Sequence, residues 1–370
     1  MALLKVGLID NDLVVRDNHN FPNLAIMKIS NYHKQNGDSV ELIGFNEINP
    51  NSLFPNSFDL VYISKAFTDS ETPEFIYKLN NVKYGGTGFY FDKAEPLPDK
   101  IEHTKPDYEI YDKILHTIKK KIYYTNYSIG YTTRGCFRHC QFCVNRRLNK
   151  VELHSPIDEF YNPNKKKLAM LDDNVLGLPN RELYKIFDKL GEIGKPFQYR
   201  QGMDIRLLTK ERIKRLFELR HDNGYYFAFD KWSNKDEIIP KMKLWHDMYL
   251  ELKYNNARQL QTRIYLLTGF NEQNKYDETF WLDDLETLFK RIEICFEWKL
   301  LPFVMRFETV GKSPLRKIYQ NICQWTNHPS QIITKTSFRE FLEDGSFSTK
   351  ETKMFFDKHK EFWKYLNLKL

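Results

Sequence analysis

Three cysteines lie within eight residues of the 370-residue chain, as Cys136, Cys140 and Cys143, which gives the spacing C-x3-C-x2-C. Cysteine thiolates are the usual protein ligands of iron–sulfur clusters. Three of them can hold three irons of a [4Fe–4S] cluster, and the fourth iron is then left without a protein ligand. An open iron can bind a small molecule and reduce it, so the spacing points to redox chemistry at a cluster.

Two other interpretations of this segment remain open. A structural zinc site needs four ligands, and the fourth would here be His139, inside the cysteine segment, or the more distant His154. Three buried thiols without a metal are the second alternative, which fits poorly with the polar character of residues 134–147. The other two cysteines, Cys295 and Cys323, lie in apolar helical patterns and are interpreted as small core residues.

The elements that must position these cysteines alternate between strand and helix patterns from about residue 128. Six apolar segments are typical of buried parallel strands, at 128–133, 168–171, 197–200, 225–229, 261–267 and 303–307. Polar residues follow the later strands, at Asp172, Gln201, Asp230, Thr268 and Glu308. The alternation predicts an α/β fold with a partial (β/α)6 TIM-type barrel over residues 127–328, with its chemistry at the carboxyl ends of the strands.

The rest of the chain surrounds this barrel. Residues 1–96 predict a small doubly wound, Rossmann-like domain with strands at 4–9, 40–43 and 58–63, and such sheets bind ligands at the carboxyl edge of their strands. Residues 97–126 read as a linker, and residues 329–370 as a C-terminal helical extension. Aromatic side chains of the extension are expected to pack onto the barrel, namely Phe338, Phe341, Phe355, Phe356, Phe362 and Trp363.

Composition narrows the class of protein. The chain is 41% hydrophobic, has no apolar run of membrane-spanning length and begins without a signal-peptide pattern. Five cysteines, of which three are clustered, argue against a disulfide framework, so we expect a cytoplasmic protein that does not engage a membrane. The net charge of +7 is compatible with an anionic partner such as nucleic acid, although lysines scattered over solvated helix faces explain it better.

With Phe142 directly before the third cysteine, the segment resembles the cysteine motif of the radical S-adenosylmethionine (radical SAM) superfamily. The order of a small α/β domain, a linker and a barrel with this motif is similar to that of members with a cobalamin-binding-type domain. The resemblance implies that the three cysteines hold a [4Fe–4S] cluster whose open iron is chelated by S-adenosylmethionine. It implies radical chemistry on a substrate that the sequence does not identify. It also implies an electron donor such as flavodoxin or ferredoxin.

The same resemblance implies a binding site for S-adenosylmethionine. Phe142 would pack at the adenine, and the strand-end groups would contact the amino, carboxylate and ribose groups or pass close to the adenine. These groups are Asp172, Asp173, Asn174, Gln201, Asp204, Arg206, Thr268 and Gly269. Alternatives stay open for six of them: helix capping for Asp172 and Asp173, a loop salt bridge between Asp204 and Arg206, and an ordinary turn at Thr268–Gly269.

Whether the N-terminal domain binds cobalamin is left open by the sequence. Asp17-Asn18-His19 begins like a cobalamin motif but lacks its glycine, and the glycine-rich residues 85–88 suit either a nucleotide tail or a tight turn. The domain is therefore either a cobalamin binder, with methyl transfer as the leading activity, or a scaffold or lid. A different class of function is a non-catalytic nucleic-acid-binding protein with a zinc-stabilised cysteine loop.

Overall fold

The computed structural model describes residues 3–48, 57–112, 123–252, 262–328, 330, 336–345 and 349–370. The chain divides into two compact units, Met1–Asp172 and Asp173–Leu370, which we call the N-terminal and C-terminal units. The boundary falls inside the segment predicted as a barrel. The predicted domain limits at residues 96, 126 and 328 stay predictions.

The N-terminal unit begins with a four-stranded parallel sheet in the order β2-β1-β3-β4, here called the N-terminal sheet. Its strands are β1 (Lys5–Asp10), β2 (Ser39–Leu42), β3 (Leu60–Ser64) and β4 (Val82–Gly85). The sequence pattern predicts the first three, whereas β4 is additional. Because β1 is central and almost fully buried, its carboxyl end at Asp10 lies in the middle of the sheet edge.

Helices flank this sheet at α1 (Asn11–Val15), α2 (Leu24–Gln35), α3 (Thr87–Tyr90) and α4 (Asp99–Glu102). The helix α2 begins at Leu24, because the Asn23 side chain caps it by accepting from Ile26 N at 3.3 Å. Its apolar face joins β1 in a core around Leu8, Ile26 and Ile29. Burial of this face, more than helix propensity, stabilises a segment of this length.

The second half of the N-terminal unit contains β5 (Tyr127–Gly130), β6 (Thr133–Arg134), β7 (Glu152–Leu153), α5 (Ile157–Phe160) and β8 (Lys167–Met170). Strands β5 and β8 pair in parallel, while β6 and β7 form a short antiparallel pair. Gly130 is required where β5 passes under α5, since a Cβ atom there would lie 2.2 Å from the Phe160 ring. Where the sequence pattern predicts one strand at 128–133, the structure has the two short strands β5 and β6.

The C-terminal unit repeats the strand–helix alternation. Its elements are β9 (Phe197–Tyr199), β10 (Tyr226–Ala228), β11 (Arg263–Thr268), β12 (Leu301–Arg306), α6 (Asn180–Ile193), α7 (Lys210–Glu218), α8 (Lys235–Glu251), α9 (Glu278–Glu297) and α10 (Arg316–Asn327). Strands β10, β11 and β12 form a parallel sheet, and a parallel bridge joins Met203, just beyond β9, to Phe227 of β10. The carboxyl ends of these strands therefore lie along one edge.

The C-terminal segment adds α11 (Phe338–Glu343), α12 (Lys350–Lys358) and a 3-10 turn at Lys360–Tyr365. Phe289 of α9 is the centre of its aromatic core, with ring centroids 5.7 Å from Phe338 and 4.9 Å from Tyr365. Five of the six aromatic residues expected in this core are buried. The expectation was wrong for Trp363, which is 45% exposed because the last turn directs it outward.

The prediction of a mixed α/β fold with parallel sheets is confirmed, and the partial barrel stays a prediction. Both helical cysteines are core residues as predicted: Cys295 is fully buried and Cys323 is 9% exposed. Burial raises the pKa of both thiols well above the ordinary value, which keeps them protonated and unreactive. In the described part of the chain, no helix is long and apolar enough to cross a membrane.

Candidate functional site

The three clustered cysteines lie on the loop between β6 and β7, residues 135–151, which we call the Cys loop. As predicted, this loop follows the first strand of the parallel series, β5. The β6–β7 pair brings its ends together, with Thr133 opposite Leu153 and Arg134 opposite Glu152. Gly135 has a φ of +98°, and a Cβ atom there would lie 2.1 Å from the Lys150 carbonyl oxygen. Only glycine fits at this closure.

All three clustered cysteines are half-buried residues, and no disulfide involves any of the five cysteines, each of which lies in a described segment. A turn joins two of them, because Cys143 N donates to Cys140 O at 2.9 Å. The backbone N–H of Asn145 donates to the Cys143 sulfur at 3.4 Å. Such a bond stabilises a thiolate, and N–H···S bonds are among the features that set the potential of iron–sulfur clusters.

The fit of these residues to a metal depends on how many metal atoms they must reach. Among the described residues, no three His, Cys, Asp or Glu side chains are grouped as ligands of a single ion. Four ligands of one zinc ion must converge on one point, whereas the thiolates of a [4Fe–4S] cluster bind separate irons. Accessible thiols on one loop with an N–H···S bond fit the donor set of a cluster.

The two histidines considered as fourth zinc ligands both have protein partners. His139, at a φ of +49°, places Nδ1 2.9 Å from the Arg146 carbonyl oxygen and so donates to it. His154 places Nε2 2.9 Å from a carboxylate oxygen of Glu102. Burial raises the pKa of Glu102, but the hydrogen bonds and charges of His154 and Lys28 outweigh it and lower the pKa to about 2. His154 therefore faces an ionised carboxylate.

Asp172 lies at the end of β8, as predicted, and its carboxylate is bonded to the residues that lead into the Cys loop. Oδ1 accepts from the Thr132 hydroxyl at 2.5 Å, from Thr133 N at 2.6 Å and from the Thr133 hydroxyl at 2.7 Å. Thr132 N donates to Oδ2 at 3.3 Å. Burial raises the pKa of Asp172, while these hydrogen bonds act to lower it. These hydrogen bonds hold β6 in place. The carboxylate does not cap a helix.

The other predicted contacts of S-adenosylmethionine lie in the C-terminal unit, apart from Phe142, which is half-buried on the Cys loop. Asp173 is half-buried, Asn174 is buried and Gln201 is exposed. Arg206 donates through Nε and Nη2 to the two carboxylate oxygens of Asp204 at 2.7 and 3.2 Å. The loop salt bridge, one of the two alternatives for this pair, is present.

At the end of β11, Thr268 and Gly269 are bound by a residue that the sequence did not single out. The Thr268 hydroxyl and the Gly269 N–H both donate to the Asp284 carboxylate, which also accepts from the Tyr319 hydroxyl at 2.8 Å. Gly269 has a φ of +81° and no room for a Cβ atom, which would lie 2.3 Å from Val310. These groups form an internally bonded turn.

Arg291 is a second residue at the strand ends that the sequence did not single out. It is 1% exposed, and its Nη1 donates to the carbonyl oxygens of Phe229, Asp230 and Leu267 at 2.8 to 3.0 Å. It thereby binds the carboxyl ends of β10 and β11. Burial raises the pKa of the neighbouring Asp230 to about 6, against the opposing charge of Arg291. No signal in the sequence of α9 marks this arginine as buried.

Comparison with solved structures finds a likeness for this chain. The chain matches the structure of OxsB, described as a cobalamin-dependent S-adenosylmethionine radical enzyme, with a TM-score of 0.47 and 14% sequence identity. The match covers 89% of this chain but only 56% of the length of OxsB. No protein-family model and no curated protein sequence matches the chain. Similarity at this level leaves the family open.

Proposed function

We propose that the protein is a radical SAM enzyme that starts radical chemistry on a still unidentified substrate. The proposal rests on the arrangement of the three cysteines in the Cys loop. Three half-buried cysteines with C-x3-C-x2-C spacing lie on one loop that closes the antiparallel β6–β7 pair just beyond the parallel strand β5, and the sulfur of one of them accepts a backbone N–H. A [4Fe–4S] cluster, when bound there, would supply the electron that cleaves S-adenosylmethionine and yields a 5′-deoxyadenosyl radical.

The chain's own residues would hold, orient and shield this chemistry. Cys136, Cys140 and Cys143 would bind three irons, and Asn145 N–H would stabilise the Cys143 thiolate. Asp172 would keep the entry of the Cys loop in place through its hydrogen bonds to Thr132 and Thr133. We propose that Phe142 packs against the adenine of S-adenosylmethionine. The remaining proposed contacts are Asp173, Asn174, Gln201, Asp204, Arg206, Thr268 and Gly269.

Reduction of the site requires an electron donor, for which we propose an acidic protein such as flavodoxin or ferredoxin. A groove of about 450 Å³ lies beside the Cys loop and is lined by Arg134, Arg147, Lys150 and Glu152 together with Leu148 and Leu153. Lys150 pairs with Glu152, and Arg147 pairs with Asp92. Both leucines are exposed, at 38% and 59%. Exposed apolar side chains beside three cations and one carboxylate would suit the docking of an acidic protein.

The test is anaerobic reconstitution with iron and sulfide, followed by incubation with S-adenosylmethionine and dithionite. We expect iron–sulfur absorbance, about four irons per chain and formation of 5′-deoxyadenosine. Cys140→Ala should lose both the cluster and cleavage, whereas Cys323→Ala, which removes a buried thiol of the C-terminal unit, should keep both. A wild-type protein without cluster absorbance or 5′-deoxyadenosine contradicts the proposal.

The second candidate, a zinc-stabilised nucleic-acid-binding protein, has the net charge of +7 in its favour. It predicts about one zinc per chain, no iron or sulfide, and an affinity for DNA that falls steeply with salt. Metal analysis of the protein as purified anaerobically therefore separates the two functions.

A further inference from the structure

We propose that the N-terminal sheet takes no cobalamin at its carboxyl edge and serves instead as a scaffold that holds the Cys loop through Asp92. The part that concerns the cluster rests on the function proposed above, while the scaffold itself rests on contacts within the N-terminal unit. Doubly wound sheets bind their ligands at the carboxyl edge of the strands. Here that edge is occupied by the chain's own side chains.

The segment after β3 folds over the residues that follow β1. The Asp12 carboxylate, 1% exposed, accepts from Ala66 N at 2.6 Å and from the Ser70 hydroxyl at 2.5 Å. The fully buried Asn11 accepts from the Thr72 hydroxyl at 2.8 Å. Polar groups that could face a ligand between β1 and β3 are thus bonded to one another, and breaking buried bonds of this kind is costly.

Tyr111 covers the end of β1 from another direction. Its hydroxyl donates to Asp10 Oδ2 at 2.7 Å and accepts from Asn23 N at 2.9 Å, and the side chain is 1% exposed. Asp10 also accepts from Leu13 N at 3.1 Å and so caps α1. The central strand of the sheet therefore ends in a closed polar cluster.

The glycine-rich residues after β4 pack against protein backbone. A Cβ atom at Gly86 would lie 2.3 Å from the Lys65 carbonyl oxygen, which accepts from Gly88 N at 2.8 Å. The close approach that glycine permits is therefore used by the end of β3. The histidine of the incomplete cobalamin motif, His19, lies edge-on to Phe67, with ring centroids 5.7 Å apart. These residues do not fit a cobalamin site.

Asp92 connects this domain to the Cys loop. Its carboxylate, only 5% exposed, accepts at Oδ2 from Arg146 Nε at 2.7 Å and from Arg147 Nε at 2.9 Å. The hydrogen bond from Arg146 is the main cause that holds the pKa of Asp92 below its usual range. Asp92 is therefore ionised at neutral pH and binds two successive cations of the loop.

Arg146 connects Asp92 to the residues that lie beside the cysteines. Its Nη1 donates to the Gln141 carbonyl oxygen at 3.1 Å, and its own carbonyl oxygen accepts from His139 Nδ1 at 2.9 Å. Both of these partners are chain neighbours of Cys140. Arg146 thus joins the two sides of the turn that presents Cys140 and Cys143, and Asp92 fixes its guanidinium. Asp92 is a positioning residue for this turn.

Limited trypsin digestion of the metal-free full-length protein tests the scaffold without requiring a cluster. Trypsin cleaves after arginine, and the turn contains Arg138, Arg146 and Arg147. Asp92→Asn should speed cleavage in residues 138–147 by about tenfold, the scale of a charge-assisted hydrogen bond to partly exposed arginines. The matched control is Asp69→Asn, which removes an exposed carboxylate paired with Arg16 and should cleave like wild type. Equal cleavage of the two variants overturns the role of Asp92.

Two further measurements complete the test. If wild type binds a cluster, Asp92→Asn should change the electron paramagnetic resonance spectrum of the reduced protein, and an unchanged spectrum counts against positioning of the cysteines. A wild type without iron would instead defeat the proposed function and leave the digestion result valid. Titration with hydroxocobalamin should show no saturable binding, and saturable binding abolished by Tyr111→Trp would overturn the closed edge.

Discussion

Asp172 and Thr133 are joined by two hydrogen bonds, one from the backbone N–H at 2.6 Å and one from the side-chain hydroxyl at 2.7 Å. The two residues lie at the ends of neighbouring segments, since Gly130 of β5 pairs with Met170 of β8. This register brings the carboxylate directly under the entry to the Cys loop. A residue predicted as a cofactor contact therefore supports the peptide that carries the cysteines.

Replacing Asp172 tests this support. Asp172→Ala leaves the buried Thr132 and Thr133 donors without their acceptor, so the free energy of unfolding should fall by about 3 kcal/mol. Asp172→Asn keeps one acceptor oxygen and should cost about 1 kcal/mol. Urea unfolding measures both changes, and Asp99→Ala, at a carboxylate that is 96% exposed, is the control with little expected change. A loss no larger in Asp172→Ala than in the control contradicts the support.

The raised pKa of Asp230, about 6 in the folded protein against the ordinary 3.8, predicts a pH-dependent stability. Between these values the folded state binds more protons than the unfolded state, so the contribution of Asp230 to stability falls as pH rises and levels off about one pH unit above the folded pKa. Asp230→Asn keeps the acceptor for Leu267 N but carries no charge. It should match wild type near pH 4 and be more stable by about 2 kcal/mol at pH 7.5.

Urea unfolding between pH 4 and pH 8 measures this difference. The charged neighbours, Arg291, Arg206 and Lys231, attract the ionised form of Asp230, and their effect is already contained in the pKa of about 6. Asp277→Asn is the matched control, because Asp277 caps α9 and its pKa is lowered by the Phe280 N–H rather than raised. A constant offset between wild type and Asp230→Asn across the range would show that Asp230 does not titrate there.

Lys28 and Glu102 form a largely buried ion pair at 2.7 Å, with side chains 4% and 17% exposed. Lys28→Met should lower the free energy of unfolding by about 3 kcal/mol, because it removes the lysine partner of the largely buried Glu102 carboxylate. The double variant Lys28→Met, Glu102→Leu should recover most of that loss, since it removes both charges. Denaturant unfolding of wild type, the two single variants and the double variant gives the coupling energy between Lys28 and Glu102. Losses that simply add would contradict an ion pair.

The sequence predicted which residues lie at strand ends, but not the hydrogen-bond partners of those residues. Apolar runs followed by polar residues placed Asp172, Thr268 and the Cys loop at strand ends, because parallel strands are buried on both faces. The partners of these residues depend on tertiary register: Thr133 is 39 residues from Asp172. Arg291 lies in a helix whose pattern is that of any amphipathic segment, so its burial over β10 and β11 follows only from packing.

The remaining differences between prediction and structure lie in segments whose local sequence fits more than one conformation. The strand β4 alternates apolar residues with Lys83, which gives it too weak a signal beside the glycines that follow. Those glycines permit close approach, but only the fold shows that the approaching group is the backbone of Lys65. Trp363 has the spacing of a core residue, yet its segment is a 3-10 turn, in which side chains repeat every three residues and leave the predicted face.

Gly135 gives the last test, because it isolates the closure of the Cys loop. A side chain at this position would require an L residue at a φ of +98° and would meet the Lys150 carbonyl oxygen, so Gly135→Ala should open the β6–β7 pair. We expect iron bound after reconstitution to fall at least about tenfold, while circular dichroism and the unfolding of the rest of the chain stay near wild type. Gly191→Ala is the matched control: Gly191 lies in α6 with its nearest non-helical neighbour 3.8 Å from the added methyl, and alanine there should stabilise the helix by about 0.5–1 kcal/mol. Full iron binding by Gly135→Ala would show that the thiols do not depend on this closure.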